Sequence, residues 1–160
     1  MARLDPKAWS RVALAGTTYA SRATSATSRV DQYVRLSTRS VWIDQGGQSD
    51  LLADMTAAAI LVDMESYANN RRSAGYDVVV GTTIPHSTSY SLGQNNTRLA
   101  LNSLILASAS YDAVADLAAD SRLADGSNTT YFSDGLHPTT AGAAAIADVV
   151  EATLATLSIN

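Results

Sequence analysis

The sequence predicts an α/β domain whose parallel sheet is covered by helices on both faces. Three observations carry this. Short apolar runs of strand length alternate with segments of helical period, and the connections between runs are long enough to hold crossover helices. The clearest run, Tyr76 to Ile84 with Val78, Val79 and Val80 at its centre, is a continuous Val-rich run, as expected for a strand buried on both faces. A length of 160 residues predicts a single domain over 1–160 with a real core. That core must be mostly Ala, Val, Leu and Ile, because the chain has one Phe and two Trp.

Taken in order, Arg11 to Ala15 reads as a short apolar strand and Thr24 to Leu36 as an amphipathic helix with Val30, Tyr33 and Val34 on one side. Ser40 to Asp44 is a second strand ending in the Gly46-Gly47 turn. Leu51 to Ser73 carries apolar residues at helical spacing through Met55, Ala58, Ala59, Val62 and Tyr67, and Gly75 stops it. Pro85 closes the strand from Tyr76. After a polar loop from His86 to Gly93, Asn95 to Ser110 reads as a helix and Ala113 to Leu117 as the last strand. Ala118 to Ser133 is loop-like, and Ala141 to Leu157 is the final helix. No internal repeat, linker or low-complexity tail interrupts the pattern.

Composition narrows the function. The formal charge is -4, and the longest basic run is the pair Arg71-Arg72, which argues against a nucleic-acid partner. The absence of cysteine excludes disulfides, thiolate metal sites and a cysteine nucleophile, and it is compatible with any redox compartment, so localisation stays open. Met1 to Trp9 is polar and lacks the apolar core of an export signal. No stretch approaches the ~18 apolar residues that span a bilayer, so a soluble chain with no membrane partner is expected.

In open parallel sheets, ligands bind beyond the carboxyl ends of the strands. Gly16-Thr17-Thr18-Tyr19, Gln45 to Asp50 and Pro85-His86 all fall at such ends. Near the chain's end, Asp134-Gly135-Leu136-His137-Pro138 runs into Thr139-Thr140-Ala141-Gly142 and an Ala-rich helix. An acid and an imidazole three residues apart on that turn suit a carboxylate orienting a catalytic histidine toward a third group from elsewhere. The plainer reading is a helix cap, for which Asp and Thr are both good residues. Ser49 or Asp50 would likewise cap the helix from Leu51, and Gly16 would be a tight turn. His86 follows a proline on a loop, where an exposed, solvated imidazole is the plain expectation and a contact with substrate the functional one. His86, His137 and Asp134 lack HxH or HxxxH spacing, so no metal site is expected.

DGLHPTTAG resembles the terminal Asp-x-x-His-Pro block of the SGNH, or GDSL-type, hydrolases, which include esterases, lipases and carbohydrate deacetylases. GGQSDL is similar to that family's Gly-x-Asn-Asp block, and ALAGTTYAS is a weaker likeness of its glycine block. The resemblance covers most of the chain in the right order. It implies a flavodoxin-like three-layer α/β/α sandwich and ester hydrolysis without metal or organic cofactor. It further implies His137 as general base, Asp134 as its orienting carboxylate, and oxyanion donors at the Gly16 backbone and Ser49.

Two departures stand out. Ser49 occupies the place of the family's oxyanion-binding Asn, and losing one such donor costs other enzymes on the order of 10²–10³ in rate. No Gly-Asp-Ser, the family's nucleophile block, occurs anywhere. In the flavodoxin-like strand order 2-1-3-4-5 the strand that carries it would lie between those at Arg11 and Ser40. Left open, that gap would unpair two rows of backbone groups at about 1–3 kcal/mol each. The expectation is therefore part of a serine esterase or carbohydrate deacetylase, inactive alone, whose strand and serine come from a second chain or segment. Its substrate would be a small-molecule or carbohydrate ester. The competing expectation is a non-catalytic binding or assembly module that retains the fold.

Overall fold

In the computed structural model of the protein, which describes residues 17–25 and 39–157, one sheet holds three parallel strands in the order β1 (Val41–Asp44), β2 (Asp77–Gly81) and β3 (Ala113–Ala115). Val41 lies opposite Asp77, and Val79 lies opposite Ala113. The helices are α1 (Tyr19–Ser25), α2 (Gln48–Leu52), α3 (Ala57–Ser73), α4 (Leu92–Ala107) and α5 (Thr140–Leu154). The predicted α/β class is the observed one. The strand expected over Arg11 to Ala15 and most of the helix expected over Thr24 to Leu36 lie outside the described residues. Among the described residues, no helix is long and apolar enough to cross a membrane.

The two-residue period of a strand sorts β2 between two cores. Val78 and Val80 pack with Ile60, Met64 and Tyr67 of α3 and with Leu101 and Ile105 of α4. Val79 faces the opposite way, into a cluster with Ala115, Leu117, Phe132 and Ala145 of α5. A central strand buried on both sides therefore needs the continuous apolar run that the sequence displays. Tyr19 docks α1 onto the first core, its ring edge-on to Tyr67 at 6.1 Å.

Several boundaries differ from the sequence reading, each for a local reason. The helix expected from Leu51 to Ser73 is two helices. Asp54 adopts a left-handed conformation (φ 56°), and the Thr56 side chain restarts the helix by accepting from Ala59 N–H at 3.3 Å. Helix α4 begins at Leu92 rather than Asn95, because Ser91 and Gln94 form a reciprocal capping box with bonds of 3.2 and 2.9 Å. The ladder of β2 ends at Gly81, although Thr82 still donates its N–H to the Ala115 carbonyl. Residues Leu117–Ala119, the first of which was expected to end β3, form a short 3-10 turn. Neither Ser49 nor Asp50 caps a helix at Leu51. Helix α2 starts at Gln48 behind Gly47, with no side-chain cap.

Candidate active site

The loop before α5 is closed by short bonds that leave little freedom at its tip. Phe132 bridges Pro138, Ser133 N–H donates to the His137 carbonyl at 2.9 Å, and Thr139 N–H donates to the Tyr131 carbonyl at 2.9 Å. Thr139, not Asp134, caps α5, its hydroxyl accepting from Gly142 N–H at 3.2 Å. That leaves the Asp134 carboxylate free for the imidazole. Its Oδ1 accepts from the backbone N–H of His137 at 2.8 Å and of Leu136 at 3.1 Å, and its Oδ2 lies 2.7 Å from His137 Nδ1.

The Asp134 pKa is held well below the carboxylate range, first by the backbone N–H of His137, then by its side chain, then by the Leu136 N–H. An ionised carboxylate can only accept, so the bonded Nδ1 carries the proton and Nε2 is the basic nitrogen. The dyad faces solvent, with side chains 70% (His137) and 55% (Asp134) exposed.

His86 lies beside this pair. The sequence places it in solvent; the structure buries it to 8% exposure against Tyr90, ring centroids 5.3 Å apart. Thr88 links it to the dyad turn, its hydroxyl 3.5 Å from His86 Nδ1 and 3.4 Å from the Asp134 carbonyl. Burial lowers the His86 pKa; Asp134 pulls the other way and His137 adds to the lowering. Ser87 N–H donates to the Gly135 carbonyl at 3.1 Å, which fastens the segment beyond β2 to the dyad turn.

Ser49 sits in the first turn of α2, half-buried, on the neighbouring loop. That loop is tied to the segment beyond β2, where the Thr83 hydroxyl donates to the Gly46 carbonyl at 3.0 Å. Gly16 lies outside the described residues. Asp50, read from the sequence as a local cap, instead reaches 31 residues back, its Oδ1 accepting from Tyr19 N–H at 3.1 Å to anchor α1. Asp44, at the carboxyl end of β1, pairs with Arg22 at 3.2 Å, and burial raises its pKa against that neighbour's pull. The sequence did not single out Thr83, Arg98 or Asn102, which join the two loops. The one available signal was the polar pair Thr82-Thr83 ending an otherwise apolar run. Among the described residues, no cluster of His, Cys, Asp or Glu is arranged to hold a metal.

No protein-family model matches the chain, and no curated protein sequence does either. Among solved structures, the chain is similar to the crystal structure of a carbohydrate esterase family 3 protein from Talaromyces cellulolyticus. The TM-score is 0.65 at 23% identity, over 89% of this chain and 68% of that one. At this identity the likeness is one of fold. The shared fold is α/β, with three parallel strands of one sheet and flanking helices described in this chain.

Proposed function

We propose that the chain is the histidine-bearing portion of an SGNH-type serine ester hydrolase acting on a carbohydrate or small-molecule ester. The observation that carries this reading is the 2.7 Å contact between Asp134 and His137 on an exposed turn, with Nε2 left free. The fold shared with a carbohydrate esterase supports it. A serine hydroxyl on a strand supplied by a second chain or segment attacks the ester carbonyl and passes its proton to His137 Nε2. The imidazolium, steadied by Asp134, returns that proton to the departing alkoxide. Water then hydrolyses the acyl-serine by the same route. Backbone N–H groups of the Gly46–Ser49 loop and near Gly16, with the Ser49 hydroxyl, receive the oxyanion. His86, held against Tyr90 beside the dyad turn, forms part of the substrate side of the site. No metal or organic cofactor enters these steps.

The absence of a Gly-Asp-Ser block favours a second reading, a binding or assembly module that keeps the fold without the reaction. One experiment separates the two. The chain alone is expected to leave p-nitrophenyl acetate at its buffer rate. Fusion or mixing with a segment bearing a strand, Gly-Asp-Ser and a helix is expected to restore turnover, which His137→Ala lowers about 10³-fold or more and Asp134→Asn about 10²–10⁴-fold. Turnover that survives His137→Ala, or no turnover in any complemented form, sinks the hydrolase reading.

A further inference from the structure

We propose that Thr83 and Asn102 are positioning residues that hold the Gly46–Ser49 loop in register with the His137 turn, an inference that rests on the hydrolase reading for its catalytic meaning. Thr83 stands two residues beyond β2, fully buried, and every polar atom it has is engaged. Its N–H donates to Asn102 Oδ1 at 2.8 Å, and its carbonyl accepts from Asn102 Nδ2 at 2.9 Å and from Arg98 Nη1 at 3.1 Å. Its hydroxyl donates to the Gly46 carbonyl at 3.0 Å. The side-chain amide of Asn102 thus pairs with Thr83 as a neighbouring strand would, where the ladder has already ended. Both donor and acceptor are used, which fixes the orientation of the amide.

The loop has no room to shift against this clamp. Gly47 has φ 94°, and a Cβ there would meet Thr83 Oγ1 at 3.1 Å and Leu101 Cδ2 at 3.5 Å. Four residues beyond Thr83, Ser87 bonds the Gly135 carbonyl at the dyad turn. One stretch of chain, at most about 14 Å long when fully extended, touches the candidate oxyanion loop at one end and the histidine turn at the other. Oxyanion donors act only where the developing charge will be, so a spacer tied at both ends sets the geometry on which their effect depends. A network that merely satisfies buried polar groups would stabilise the whole sheet without governing this loop in particular.

Amide hydrogen exchange tells these apart without needing turnover. Thr83→Val keeps the side chain's shape and removes its donor. It is expected to speed exchange of the Leu51 and Ala53 amides, which donate to the Gly47 and Ser49 carbonyls at 2.9 and 3.1 Å, about tenfold or more while the amides of α5 keep their wild-type rates, and Thr83→Ser is expected to restore protection. If the valine variant fails to fold, Thr83→Ala provides the same comparison. Unchanged exchange of the Leu51 and Ala53 amides, or a uniform rise across β2 and α5, overturns the proposal. In the serine-complemented form, Thr83→Val should lower kcat about tenfold with KM within twofold, and a change in KM alone also overturns it. If no form hydrolyses the ester, the hydrolase reading falls and the exchange result alone decides whether the clamp governs the loop.

Discussion

Asp134 takes three hydrogen bonds within four residues, and its depressed pKa makes it a source of pH-dependent stability. A carboxylate whose folded pKa lies below its unfolded value of about 3.9 contributes stability that is fully present above that value and is lost as pH falls through the folded pKa. Asp50 works in the other direction. Burial raises its pKa, so its ionisation removes stability as pH rises from about 3.9 through the folded value. Thermal melts from pH 2 to 7 are expected to show a shallower acid-side loss in Asp134→Asn, confined to pH below about 4. In Asp50→Asn, the loss of stability with rising pH above about 4 should be smaller than in wild type, the remainder coming from Asp44, whose pKa burial also raises. Wild-type slopes in both variants would contradict these assignments. Much of the Asp134 geometry is legible in the sequence, because a carboxylate three residues before a histidine on a glycine turn needs only local chain reversal to reach it. The burial of His86 is not legible, since it depends on where Tyr90 and the Asp134 turn come to rest.

At the scale of elements, the loop before α5 is defined by Gly135. It has φ 84°, and a Cβ would lie 2.2 Å from Ser87 Oγ. Gly135→Ala is therefore expected to destabilise the protein by about 1–3 kcal/mol and to loosen the dyad turn, measured by denaturant unfolding and by exchange of the Leu136 and His137 amides. A neutral substitution would mean that the turn adopts another conformation. Strand β2 and the helical character of α3, α4 and α5 were readable because apolar period and length suffice for them. The break between α2 and α3 was not, since the apolar spacing continues across it while the left-handed Asp54 and the Thr56 cap interrupt the backbone. The early start of α4 was available as the Ser91-x-x-Gln94 signature. Its exposed Leu92, Leu99 and Leu106 show why apolar periodicity alone overstates a buried face.

For the whole molecule, stability rests on two apolar layers that share β2, so a cavity in either should be felt globally. Leu101, fully buried between α4 and the sheet, is expected to cost about 2–5 kcal/mol as Leu101→Ala in urea unfolding, with an unchanged m-value if the molecule unfolds as one unit. A loss below 0.5 kcal/mol would show that this layer does not support the fold. The sequence by itself determined the α/β class, the succession of the described strands along the chain and the closeness of Asp134 to His137, because these follow from residue period and from contacts spanning a few residues. Only the tertiary structure decided that Thr83 holds a loop 37 residues away, that Asp50 anchors α1 across 31 residues, and that His86 is buried. Contacts of that separation depend on how layers pack, and many partners of similar chemistry are available to each polar group until packing selects one.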